Sequence, residues 1–184
     1  MTMLRTFIAI KIPSTPALRP VLAQLNQMGS SLKPVSAAHL HLTLKFLGDT
    51  PEPQIAEIGE IVSQAAARTT AFDIRLVGLG AFPNVHRPDV IWAGIETSDT
   101  LLSLAATLES ILEPLEFRRE AREFHPHLTL ARVKAKPPPS LFRLLDEHAT
   151  TDFGTVHISS VELFQSELQR SGPKYSVLAS AKLT

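Results

Sequence analysis

His41-Leu42-Thr43-Leu44-Lys45-Phe46-Leu47-Gly48 and His127-Leu128-Thr129-Leu130-Ala131-Arg132-Val133-Lys134 open on the same four residues. Each run is short, apolar and rich in β-formers, and each reads as a strand. Alternate strand side chains share a face, so His41 and Thr43 lie together, as do His127 and Thr129. Lys45 has the parity to join His41. Arg132, five residues after His127, has the wrong parity and needs a bulge, a twist or a strand end to reach that face. Two such strands facing one another would present two imidazoles and two hydroxyls to one cleft.

The repeat extends outward from these stretches. Thr6–Ile12 and Val90–Glu96 read as strands ahead of the two motifs. A helix pattern follows each: Leu18, Val21, Leu22, Leu25 and Met28 in the first, and Leu101, Leu102, Leu104, Ala105, Leu108, Ile111 and Leu112 in the second. Ser98 is the expected N-cap of the second helix, and Ser14 or Thr15 that of the first. After the motifs, Thr50-Pro51-Glu52 reads as a helix start ahead of Ile55, Ile58, Ile61, Val62 and Ala65, and Pro137-Pro138-Pro139 leads into Leu141, Leu144 and Leu145. Phe72–Val77 and Thr155–Phe164 close the two halves as strands, and Tyr175–Leu183 adds one more. The order β-α-β-α-β thus occurs twice, with an internal repeat of approximately 6–78 and 90–164 inside one bilobal domain, 1–184. The expected class is α+β: two pseudo-symmetric lobes of mainly antiparallel sheet facing a central cleft, helices outside.

The bulk numbers narrow the function. Lys plus Arg equals Asp plus Glu, 18 against 18, so the chain lacks the basic excess used to wrap long nucleic acid, though a local cluster could grip one phosphate or one RNA end. With no cysteine, disulfides, thiol catalysis and Cys-based metal sites are excluded. No apolar run reaches the ~18 residues of a membrane span, and the N-terminal apolar run is too short for a signal. A cytoplasmic monomer is the expectation.

Two imidazoles that titrate near neutrality can act as acid and base, and hydroxyls on the same face can bind phosphate oxygens. Opening a strained cyclic phosphodiester needs that set and requires neither a metal nor a covalent intermediate. From the residues alone the two histidines cannot be ordered, because their surroundings are equivalent.

The motifs resemble the paired His-x-Thr-x motifs of the two-histidine phosphoesterase superfamily. Further stretches narrow the likeness: Phe7-Ile8-Ala9-Ile10, Gly78-Leu79-Gly80-Ala81-Phe82-Pro83, Pro126-His127-Leu128-Thr129-Leu130-Ala131-Arg132 and Gly172-Pro173-Lys174-Tyr175. Over nearly its whole length the chain resembles bacterial RNA 2′,3′-cyclic phosphodiesterases, also called the 2′-5′ RNA ligase family. The resemblance implies hydrolysis of 2′,3′-cyclic phosphate at RNA 3′ ends to a 2′-phosphate, with His41 as proton donor to the 3′-oxygen and His127 as the acceptor that activates water. It implies phosphate-binding roles for Thr43, Thr129 and Arg132, no cofactor, and RNA ends, tRNA fragments or cyclic nucleotides as partners. Lys45 is a further substrate-binding candidate with weaker family support, and Phe7 and Tyr175 are candidate base-stacking residues.

Competing readings remain open at this stage. Ligation of a 2′-5′ bond is the same chemistry reversed, and a module that binds RNA or nucleotides without turnover would keep the same cleft. His39 and His125 share parity with the catalytic candidates, and a four-histidine metal site is the third alternative, disfavoured by the lack of Asp or Glu within either motif. Arg118, Arg119, Arg122, Arg132, Lys134 and Lys136 around the second motif suggest a solvated segment or a weak RNA-backbone patch. His86, His148 and His157 read as structural or surface residues, and Trp92 as core.

Overall fold

The structure is a computed structural model that describes residues 2–117, 123–169 and 172–184. Among these residues nine strands occur in chain order: β1 (Met3–Lys11), β2 (Leu32–Pro34), β3 (His41–Pro51), β4 (Phe72–Asn84), β5 (Arg87–Ile95), β6 (His127–Val133), β7 (Asp152–Ile158), β8 (Ser160–Gln169) and β9 (Gly172–Lys182). Four α-helices lie among them: α1 (Arg19–Gln27), α2 (Ile55–Ala67), α3 (Asp99–Leu112) and α4 (Pro139–Glu147). The strands form one antiparallel sheet in the order β7-β4-β5-β6-β3-β1-β8-β9, with the short β2 paired to β6. No helix among the described residues is long and apolar enough to cross a membrane.

The sheet divides into two four-stranded lobes, β3-β1-β8-β9 and β6-β5-β4-β7, joined where Leu42 of β3 pairs with Leu128 of β6. Both leucines are buried, as are Ile8 and Ile10 of β1, Ile91 and Ala93 of β5, and the apolar stripes of all four helices. The core therefore fills the space between one face of the sheet and the helices. The other face is left for function.

The expected mainly antiparallel lobes with outer helices are present, but the closing strands are exchanged. β4, which follows the first half, pairs with β5 of the second lobe. A two-residue turn, Val85-His86, joins them, with Asn84 Oδ1 accepting from the backbone N–H groups of His86 and Arg87, and so short a loop forces the strands to be neighbours. Thr155–Phe164, read as one strand, is two: β7 pairs with β4, and β8 crosses to pair with β1.

The caps differ too. Ser98 accepts from Leu101 N–H at 3.2 Å and caps α3 as expected. Thr15 accepts from Leu18 N–H in a turn ahead of α1, not at its start. Thr50 stays in β3, buried, its hydroxyl 2.8 Å from that of Thr6, while Glu52–Gln54 forms a single 3-10 turn before α2.

Candidate active site

The Leu42–Leu128 pair sets the register of the two motif strands. With these leucines turned into the core, His41, Thr43, His127 and Thr129 share the open face and are half-buried. One residue either way along the antiparallel pair, His41 is level with Thr129 and Thr43 with His127. The set is therefore diagonal, each histidine facing the other lobe's threonine. Among the described residues neither threonine hydroxyl has a protein hydrogen bond, so both are available to a ligand.

Each imidazole is oriented in the same way. His41 Nδ1–H donates to the His39 carbonyl at 2.7 Å, and His127 Nδ1–H donates to the His125 carbonyl at 2.7 Å. A carbonyl can only accept, so the proton is held on Nδ1 and Nε2 becomes the reactive nitrogen of both rings. Here His39 and His125 serve through their backbones, while their own side chains are exposed. Burial pushes the His41 imidazole below its ordinary value; the His39 carbonyl opposes this, and charge on His39 and His127 adds to the lowering.

Aromatic rings wall the two histidines. On the first lobe Phe7 lies 5.1 Å from the His41 ring, Tyr175 stands edge-on to it at 5.2 Å, and Phe164 stacks on Phe7 at 5.2 Å. On the second, Phe82 meets His127 edge-on at 5.0 Å, with Trp92 at 6.4 Å. Trp92, expected in the core, is on the open face, because Ile91, Ala93 and Ile95 take the buried side of β5. Its indole lies over Gly80, where a Cβ would overlap Trp92 Cη2, so glycine leaves the space that the ring fills. Sequence reasoning also missed Phe46, Phe82 and Phe164; alternation along β4 and β8 was the available signal.

Matching bulges decide the fate of the two cations. In β3 the register skips Leu44, and in β6 it skips Leu130. Two consecutive residues then point into the core, Leu44-Lys45 in one strand and Leu130-Ala131 in the other. Lys45 is thus carried off the open face, and its Nζ donates to Glu109 of α3 at 2.7 and 2.9 Å. This corrects its expected place beside His41. The same irregularity returns Arg132 to the open face, as its parity required, close enough to pull against the upward push that burial gives the Tyr175 hydroxyl, in concert with Arg5. Phe46 is Arg132's counterpart in the first lobe and is 67% exposed.

The remaining histidines sit apart from this set: His148 Nδ1 is 3.0 Å from Thr151 Oγ1, and His157 pairs with Asp73 at 2.7 Å on the surface. Among the described residues no group of three or more His, Cys, Asp or Glu is placed to hold a metal ion. Arg118, Arg119 and Arg122 lie outside the described residues.

The bilobed antiparallel sheet thus brings one oriented histidine and one hydroxyl with no protein hydrogen bond from each half onto one open face. The family model of the 2′-5′ RNA ligase superfamily matches residues 13–170, and the chain belongs to that family. It is 43% identical over 156 residues to an RNA 2′,3′-cyclic phosphodiesterase of Aeropyrum pernix, covering 84% of this chain and 88% of that one. It is 34% identical over 177 residues to the enzyme of the same name from Archaeoglobus fulgidus, covering 95% and 98%. Among solved structures, a Thermus thermophilus protein, TT0787, superposes with a TM-score of 0.81 at 31% identity, covering 98% of each chain. Escherichia coli LigT complexed with 3′-AMP shares the fold, with a TM-score of 0.76 at 24% identity over 100% of this chain and 99% of that one.

Proposed function

We propose that this protein hydrolyses 2′,3′-cyclic phosphate at RNA 3′ ends to a 2′-phosphate, by acid/base catalysis from His41 and His127 without a metal. The carrying observation is the mirrored pair of Nδ1–H···O=C bonds, which frees Nε2 of both rings on adjoining strands. The name shared by the relatives supports the substrate class.

In this reading His127 Nε2 takes a proton from water, the water oxygen attacks phosphorus, and the P–O3′ bond breaks. His41 Nε2–H delivers its proton to O3′. Thr43, Thr129 and Arg132 meet the charge that grows on the non-bridging oxygens. Tyr175, half-buried, offers a ring to the terminal base, while Phe7, buried beneath it, braces Tyr175 and His41.

The assignment of His41 as acid comes from the family resemblance, and its burial gives it a physical basis. A depressed imidazolium holds its proton loosely and so is a stronger acid toward a departing alkoxide. The cost is that near neutrality the free enzyme carries His41 mostly uncharged; the phosphate anion, once bound, favours the charged form. Single substitutions His41→Ala and His127→Ala should each lower kcat/KM on a cyclic-phosphate oligonucleotide by about 10²–10⁴-fold while circular dichroism is unchanged. Near-normal turnover in either folded variant would overturn the mechanism.

A further inference from the structure

Glu162 of β8 is a buried acid that the hydrolytic reading leaves unused; it is 4% exposed. Oε1 accepts from the Ser160 hydroxyl at 2.6 Å and from the Ser180 hydroxyl at 3.3 Å. Oε2 is buried as well and has no hydrogen-bond donor among the described residues. A buried acceptor without a donor costs stability, so such an atom calls for a partner. Its place is the open face of the sheet. Val161 and Leu163 on either side of Glu162 enter the core. Ala9 of β1 lies opposite Glu162 on one edge and opposite Thr43 of β3 on the other. Glu162 and Thr43 are thus two strand spacings apart, ~10 Å, with one methyl group between them.

A small pocket of about 110 Å³ adjoins this row, lined by Lys11, His39, His41, Phe164, Tyr175 and Val177. Lys11 follows Ala9 on the open face, and Phe164 follows Glu162, so two of the pocket's walls are neighbours of the carboxylate. Lys11 Nζ lies 5.7 Å from the centre of the Phe164 ring. Among the described residues it enters no ion pair and no hydrogen bond. Two carbonyls of the wall are engaged, that of His39 by His41 Nδ1–H and that of Leu40 by Ile12 N–H. A free donor, Lys11, therefore stands beside a free acceptor, Glu162 Oε2. With O3′ at His41 and the ring of Tyr175 offered for stacking, this pocket lies where the terminal base is held.

We propose that Lys11 and Glu162 select the terminal base, favouring guanine and uracil over adenine and cytosine. The proposal rests on the hydrolytic reading, in which the cyclic phosphate lies between His41 and His127. Guanine and uracil each carry a keto oxygen next to a ring N–H. Lys11 Nζ donates to the oxygen, and Glu162 Oε2 accepts from the N–H. The base edge reaches Oε2 as the exposed Lys11 chain lifts from Phe164 to meet the keto oxygen. Adenine and cytosine carry an amino group next to a bare ring nitrogen. Against them donor meets donor and acceptor meets acceptor, and the buried oxygen stays unpaired.

The test is kcat/KM on four oligoribonucleotides that differ only in the base bearing the 2′,3′-cyclic phosphate. In the unsubstituted protein, guanine and uracil ends should be hydrolysed about tenfold or more faster than adenine and cytosine ends. Lys11→Met and Glu162→Gln should each bring that ratio toward one. Glu162→Gln should do so further, because its amide can donate to the bare ring nitrogen while its oxygen still serves Ser160 and Ser180. Circular dichroism checks the fold of both variants, and Lys11, being exposed, gives an independent reading if Glu162→Gln unfolds. Equal rates on all four ends in the unsubstituted protein overturn the base selection and leave the hydrolase reading standing. A keto preference that survives both substitutions overturns the roles of Lys11 and Glu162. No hydrolysis of any end overturns the hydrolase reading itself.

Discussion

Removing Glu109 should cost far more stability than removing Lys45, although the two form one ion pair. Lys45 Nζ lies 2.7 and 2.9 Å from the Glu109 oxygens, with side-chain exposures of 4% and 26%. Charges about 3 Å apart attract by roughly 5–6 kcal/mol at an effective dielectric near 20, but burying both offsets most of that gain. Glu109→Ala removes the carboxylate that accepts both bonds from the buried Lys45 ammonium, and breaking a buried pair from that side should lose about 3 kcal/mol. Lys45→Met fills the same volume without a charge and leaves the better-hydrated partner unpaired, so its loss should be about 1–2 kcal/mol or less. Urea unfolding reads both as shifts in midpoint at constant slope. The same two proteins decide what Lys45 is for. Lying on the helix side of the β3 bulge, it should leave kcat/KM within a few-fold when replaced by methionine. A folded Lys45→Met variant that lost about a hundredfold in rate would mean the side chain reaches phosphate, and the bulge argument would fail.

Gly80→Ala places a Cβ where the indole of Trp92 lies and should cost about 1–3 kcal/mol; because Trp92 is the sole tryptophan, its emission spectrum should shift as the ring is displaced toward solvent. Rate should be bell-shaped in pH. The alkaline limb of kcat/KM, which reports loss of the His41 proton in free enzyme, should begin below its ordinary 6.5, and that of kcat should move upward because bound phosphate favours the charged ring. The same depression makes the unfolded chain bind more protons at His41, so its contribution to stability is full above about pH 6.5 and declines as pH falls toward the folded-state value; His41→Asn should flatten that part of the stability curve. Exhaustive chelation with EDTA should leave the rate unchanged, and a loss restored by added divalent ion would require a different mechanism.

The repeated motif was legible because strand parity is a strict rule, and it correctly grouped His41 with Thr43 and His127 with Thr129. The same rule misplaced Lys45 and left Arg132 in need of an irregularity. Both follow from one cause: the bulges at Leu44-Lys45 and Leu130-Ala131 carry no glycine or proline to announce them. Trp92 was read as core because aromatic residues on apolar strands usually are. Its true place was hidden in the neighbouring strand, where Gly80 leaves the space it fills. The exchange of β4 and β8 between lobes is a matter of long-range pairing, which local periodicity does not encode. The Asn84-Val85-His86-Arg87 turn was its one local sign.

The most direct test is the product formed from a defined oligoribonucleotide ending in a 2′,3′-cyclic phosphate, resolved into its 2′- and 3′-phosphate forms. With His41 delivering the proton to O3′ and His127 activating water, the product is the 2′-phosphate, and it disappears in either His→Ala variant. A 3′-phosphate product would contradict that assignment of acid and base, and an unchanged cyclic end would contradict the function itself.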